Sequence, residues 1–140
     1  MRSFVALLVL VSATQCFTAP TRVLSVSPSP QSLNADRISP ILVTFDVPLD
    51  SATITPANVS VFARWSGVLT GTLTLENNGT RIRFTPTKYP SVGDWVMVTL
   101  SKNIRSRTGE ALQHGFSWNY WVKTQRGTML LTDFRRVPVR

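Results

Sequence analysis

The sequence contains one cysteine, one histidine and seven acidic residues among its 140 residues. One cysteine excludes an internal disulfide framework and a zinc site built from cysteines. One histidine excludes a metal site with several histidines and argues against a Ser/His/Asp or Cys/His nucleophile. Seven acids are too few for a dense carboxylate site. We therefore expect a domain that is not an enzyme, and we predict no cofactor and no metal.

The sequence also lacks an apolar run of about 20 residues, the length that an α-helix needs to cross a bilayer. Its N-terminal apolar run, residues 4–11 (FVALLVLV), follows a short positive start and precedes two small residues. This pattern is typical of a secretory signal peptide. We predict a signal peptide over residues 1–19, cleaved between residues 13 and 19, and a protein secreted or held at the cell surface without a transmembrane span. A buried N-terminal strand is the alternative.

Positive charge exceeds negative charge, with a formal net charge of +8, and the excess lies mainly in the C-terminal part. Residues 101–140 hold eight Lys and Arg against two acids, a balance of +6. A basic surface attracts anionic polymers, so Lys102, Arg105 and Arg107 are candidate polyanion contacts. A solvated face with a basic tail is the alternative. Nucleic acid is not expected as a partner, because no base-stacking aromatic motif accompanies these charges.

Short segments in which apolar and polar residues alternate follow one another from residue 20 onward. Alternation with period two predicts half-buried strands, and the Gly, Pro and Asn residues between the segments predict turns. The predicted strands lie within residues 23–26, 38–46, 59–65, 68–75, 81–86, 95–101 and 116–122. Asn77, Asn78 and Gly79 predict a hairpin turn, because Asn-Gly sequences adopt the positive φ values that tight turns need.

This spacing predicts an all-β fold, an antiparallel β-sandwich over residues 20–124, with a small barrel as the structural alternative. Apolar residues that recur on one side of each predicted strand form the predicted core, which comprises Val43, Phe45, Val61, Leu73, Phe84, Val98, Leu100, Trp118 and Tyr120. Residues 125–140 are predicted to be a basic C-terminal tail, a linker or an additional strand.

Six segments then match one family pattern in order: residues 41–50 (ILVTFDVPLD), 58–61 (NVSV), 80–86 (TRIRFTP), 89–100 (YPSVGDWVMVTL), 104–112 (IRSRTGEAL) and 116–124 (FSWNYWVKT). Together they resemble the bacterial Ig-like domain of the type named after the surface-layer protein SbsA. The resemblance implies an immunoglobulin-like β-sandwich of about seven strands on an exported or surface protein. It also implies the usual roles of such modules, which are spacers, stalks or adhesive units beside other domains.

Two tryptophans are candidate ligand contacts of a different kind. Trp65 and Trp121, if exposed together, would stack on sugar rings. The alternative is that Trp65 belongs to the core and Trp121 covers a sheet edge, because aromatic side chains are used mostly for burial.

Acidic residues offer one arrangement with metal-binding chemistry. Asp46 and Asp50, with Asp94 or Glu110, carry the oxygen ligands that Ca²⁺ prefers. No Asp-x-Asp-x-Asp-Gly run is present, so we favour turns in which aspartate side chains accept backbone N–H bonds. His114 is expected to be an exposed loop residue.

The prediction for function is a non-catalytic Ig-like module that acts as a structural spacer or as an adhesion or interaction unit. The alternative is a carbohydrate- or polyanion-binding β-sandwich module. The sequence predicts no specific partner; other domains and envelope glycans are the candidates.

Overall fold

The computed structural model describes residues 19–124 as eight β-strands joined by turns and loops. The strands are β1 (Val23–Ser27), β2 (Ile41–Phe45), β3 (Val59–Ala63), β4 (Gly67–Val68), β5 (Gly71–Glu76), β6 (Arg81–Pro86), β7 (Trp95–Leu100) and β8 (Phe116–Trp121). Two three-residue 3₁₀ turns, Ser51–Thr53 and Asn77–Gly79, are the helical pieces of this region. None of its helices is long and apolar enough to cross a membrane. The predicted signal peptide, apart from residue 19, and the predicted tail at residues 125–140 lie outside the described residues.

The strands form two four-stranded sheets, with the orders β1-β2-β6-β5 and β4-β3-β7-β8. Every neighbouring pair is antiparallel. The all-β, antiparallel sandwich is therefore confirmed. The segment that the sequence predicted as one strand, residues 68–75, contains one of the two residues of β4 and five of the six residues of β5, because the chain crosses there from one sheet to the other.

Alternate side chains of the strands fill the space between the sheets. In β2, Ile41, Val43 and Phe45 are buried, whereas Leu42 and Thr44 are partly exposed. Eight of the nine predicted core residues are buried, namely Val43, Phe45, Val61, Phe84, Val98, Leu100, Trp118 and Tyr120. The ninth, Leu73, is only partly buried, because β5 is an edge strand and one side of its inner face is open.

Loops close the core at one end of the sandwich. We call this the lower end, where β7 ends and β8 begins; the upper end is where β7 begins and β8 ends. Leu49, Ile104 and Leu112 lie outside the strands but are buried at the lower end. Backbone bonds hold them there, from Leu49 N to Gly79 O (2.9 Å) and from Leu112 N to Ile104 O (2.9 Å). These buried loop residues were not in the predicted core.

A loop also covers the outer edge of β8. Trp121 N donates to Ser32 O (2.7 Å), and Ala35 N donates back to Trp121 O (3.1 Å). The buried indole Nε1 of Trp118 donates to Pro28 O at 3.1 Å. An uncovered edge strand presents a row of free backbone groups to other chains, so this loop removes one such edge.

The hairpin between β5 and β6 turns as predicted through three residues in the left-handed region. Asn77, Asn78 and Gly79 have φ values of 50°, 56° and 90°, which Asn and Gly adopt more readily than other residues. Gly71, at the start of β5, is needed for a different reason. A Cβ atom there would lie 2.3 Å from the backbone oxygen of Thr85, so the two strands approach closely only because position 71 has no side chain.

Two phenylalanines, Phe84 between the sheets and Phe62 on an outer face, test the assignment of the core. Phe84 is 4% exposed and Phe62 is 45% exposed. We expect Phe84→Ala to lower the free energy of unfolding by about 3–5 kcal/mol, because it leaves a cavity between the sheets. The matched variant Phe62→Ala should cost less than about 1 kcal/mol. Urea unfolding of both variants measures the difference, and equal losses would show that the core faces are wrongly assigned.

Candidate ligand-binding surface

Trp65 lies at the upper end, two residues beyond the end of β3, and is 64% exposed. The sequence-based alternative that placed Trp65 in the core is therefore wrong. The alternation of β3 ends at Ala63, which is fully buried, and the chain turns before it reaches position 65. The strand pattern cannot be extended through that turn.

A buried carboxylate fixes the turn. Asp94 is fully buried, and its side-chain oxygens accept bonds from Trp65 N (3.0 Å), Ser66 N (3.2 Å) and Ser66 Oγ (2.7 Å). Its backbone oxygen accepts from Val122 N (2.8 Å). Burial, and after it the charge of Asp94, raises the pKa of Tyr120 above its usual value. Asp94 therefore ties together three segments at the upper end, those that hold Trp65, β7 and the residue after β8.

Trp121 is partly buried and does not stand alone at the sheet edge. It is the cross-strand partner of Trp95 on β7, and both side chains point outward from the sheet. Arg64 lies on the other side of Trp95, to whose backbone oxygen its N–H donates at 2.9 Å. The three side chains line one open groove of about 340 Å³. We call this the tryptophan groove.

Sequence reasoning missed two of the three groove residues as site residues. Neither Trp95 nor Arg64 was among the predicted ligand contacts. The signal that identifies Trp95 is the register of β7 against β8, because residues directly opposite each other in an antiparallel pair share a face. That register is not contained in either strand alone.

Apolar side chains continue along the same outer face. Val68 on β4 is the partner of Phe62 on β3, and Phe62 is in turn the partner of Met97 on β7. Val68 is 72% exposed and Phe62 is 45% exposed. The outer face of this sheet is therefore unusually apolar next to the tryptophan groove.

The predicted basic contacts lie at the lower end. Lys102, Arg105 and Arg107 follow the end of β7 and are all exposed. The Arg105 guanidinium donates to Gly109 O (3.0 Å), and Arg107 N donates to Pro48 O (3.0 Å). Since β7 is about 20 Å long, the basic residues and the tryptophan groove are two separate surfaces.

The aspartates of the possible calcium site accept hydrogen bonds from other parts of the chain. Asp94 accepts those of Trp65 and Ser66 at the upper end, an arrangement that we call the Asp94 clamp. Asp50 accepts from Ala52 N (3.0 Å) and begins a 3₁₀ turn, and Asp46 accepts from Arg22 N (2.9 Å). Asp94 lies at the opposite end from both. Between residues 19 and 124, no group of three or more His, Cys, Asp and Glu side chains is placed to hold a metal ion. His114 is exposed in the loop before β8, as expected.

The family model of the bacterial Ig-like domain matches residues 17–122, a range that contains all eight strands. The chain belongs to the bacterial Ig-like domain family. No curated protein matches the sequence of this Ig-like domain.

Solved structures of larger proteins share the fold. The match to E. coli alpha-2-macroglobulin has 17% identity and a TM-score of 0.59, and it covers 76% of this chain and 6% of the macroglobulin. The match to the N-terminal part of the bacterial S-layer protein SbsC has 20% identity and a TM-score of 0.56, and it covers 75% of this chain and 24% of that chain. The match to the LD transpeptidase LdtMt1 in complex with imipenem has 18% identity and a TM-score of 0.52, and it covers 72% of this chain and 39% of that chain. The Ig-like domain thus spans well under half of each chain, and these likenesses show the fold alone.

The Asp94 clamp gives this Ig-like domain a test of its upper end. Asp94→Ala leaves two backbone N–H groups and a hydroxyl without their acceptor, and we expect a loss of about 2–4 kcal/mol in the free energy of unfolding. Asp36→Ala is the matched control, because the exposed Asp36 accepts one backbone bond, from Ile38 N at 3.3 Å. Its loss should stay below about 1 kcal/mol. Chemical denaturation measures both, and an equally small loss for Asp94→Ala would contradict the clamp.

Proposed function

We propose that this Ig-like domain is a non-catalytic module of a secreted or cell-surface protein, where it acts as a spacer or interaction unit beside other domains. The observation that carries the proposal is the placement of the two ends of the described chain. The chain enters the sandwich at the lower end and leaves it at the upper end.

Backbone pairing fixes the lower entry point. Thr21 forms a bridge with Leu112, and Gln113 N donates to Thr21 O (3.3 Å). At the exit, the methyl group of Thr124 lies against Gly93, just before β7 begins. The length of β7, about 20 Å, separates the two points. With this arrangement, a domain attached after residue 124 would lie at the end of the sandwich opposite Thr21, and the Ig-like domain would extend the row.

The positions of His114 and Asp94 argue against one catalytic pair. The single histidine, His114, is exposed at the lower end, and the buried carboxylate of Asp94 is at the upper end. A general base has to be within hydrogen-bond reach of the group that it activates, so these two residues do not act together. The larger proteins that share the fold are consistent with a module that accompanies other domains.

We also propose that the domain is of the SbsA type and that its source protein is exported. The support is the order of the six sequence segments and the signal-peptide pattern of residues 1–19. Carbohydrate or polyanion binding remains the second proposed role. The tryptophan groove favours its carbohydrate form, because it adds Trp95 and Arg64 to the predicted Trp121.

Fractionation of the native host tests the proposal. We expect mass spectrometry to find the protein in the medium or the cell envelope, with an N-terminus between residues 14 and 20. The purified protein should have no hydrolase or transferase activity. A cytosolic protein that retains Met1 would contradict export. A co-purifying activity that a single substitution abolishes would contradict the non-catalytic role.

A further inference from the structure

We propose that the tryptophan groove binds a sugar that carries a carboxylate. The groove is formed by Trp95, Trp121 and Arg64. This inference concerns the surface of the domain and holds whether or not the domain is a spacer.

The two indole rings supply a platform for the ring of a sugar. Trp95 and Trp121 are directly opposite each other on β7 and β8 and are both partly exposed. The face of an aromatic ring is negative, so it attracts the partly positive C–H groups on the apolar side of a pyranose. The groove has a volume of about 340 Å³ and is open to solvent.

Arg64 selects for negative charge. Its side chain forms no ion pair with any carboxylate between residues 19 and 124, so its donors are available to a ligand. A guanidinium binds a carboxylate with two parallel hydrogen bonds. Lys123 is less suitable, because it does not line the groove. A planar cation beside two indole rings therefore fits an acidic sugar better than a neutral one.

The backbone of the groove is held before any ligand arrives. Arg64 N is bonded to Trp95 O, and Asp94, the residue before Trp95, binds the two residues after Arg64. The two tryptophans form the terminal pair of a six-residue strand pairing. A site with a fixed backbone loses less entropy on binding than a mobile one.

Titration of the full chain with acidic oligosaccharides tests the inference. The probes are trigalacturonate, a hyaluronan tetrasaccharide and N-acetylglucosaminyl-N-acetylmuramic acid, each paired with its methyl ester. The ester keeps the sugar and removes the charge. The readout is the NMR signals of the four indole N–H groups. Trp118, whose indole bonds to Pro28 inside the domain, is the internal reference.

We expect at least one acid to bind with a Kd of about 1 mM or tighter and to shift the signals of Trp95 and Trp121 but not that of Trp118. Its ester should bind at least about fivefold more weakly. Trp121→Ala should weaken binding at least about tenfold. Arg64→Ala should remove the preference for the acid over the ester, and because Arg64 is exposed this variant should fold normally. Lys102→Ala, at the lower end, is the matched basic control and should change neither the Kd for the acid nor the preference for the acid over the ester.

Three results would overturn the inference. One is that no acid binds at a ligand concentration 10 times the expected Kd. Another is equal binding of acid and ester, which would show a site for neutral sugar. The third is concentration-dependent dimerisation in sedimentation velocity that Trp121→Ala abolishes, with no sugar binding. That result would make the outer face an interface between two copies, to which Phe62 and Val68 would contribute their exposed apolar area.

Discussion

Burial of alternate side chains between two sheets is the interaction on which this structure depends. No cysteine lies between residues 19 and 124, so this part of the chain holds together by burial of apolar area and by backbone pairing. The same alternation also creates the candidate site. In β7, the pattern that buries Val96 and Val98 turns Trp95 and Met97 outward. A shift of the register by one residue would exchange the two sets, so the core and the tryptophan groove are fixed together.

The two ends of the sandwich are closed by different means. Apolar loop residues, among them Leu49 and Ile104, fill the lower end. The buried Asp94 closes the upper end through hydrogen bonds to the turn after β3. A buried carboxylate is costly unless its oxygens are bonded, and here the turn supplies those bonds. The same hydrogen bonds thus offset the cost of burying Asp94 and fix the position of Trp65.

The sequence predicted the parts of the fold that local alternation determines. The sandwich, the hairpin at Asn78 and eight of nine core residues follow from period-two patterns and turn residues. The loop residues of the core did not follow, since their burial depends on contacts far along the chain. The alternative that placed Trp65 in the core was wrong for the same reason: the bond that turns Trp65 outward comes from Asp94, 29 residues later. A prediction of the groove requires the register of β7 against β8, and no single segment of the sequence contains that register.

The central claim is that the chain passes through the sandwich from one end to the other and presents a groove on its outer face. A spin-label distance tests this passage directly, with labels at Arg22→Cys and Lys123→Cys in a Cys16→Ser background. Both positions are exposed and flank the first and last strands. The account predicts one narrow distance distribution centred above about 20 Å, the length of β7. A shorter distance, or a broad distribution, would contradict it.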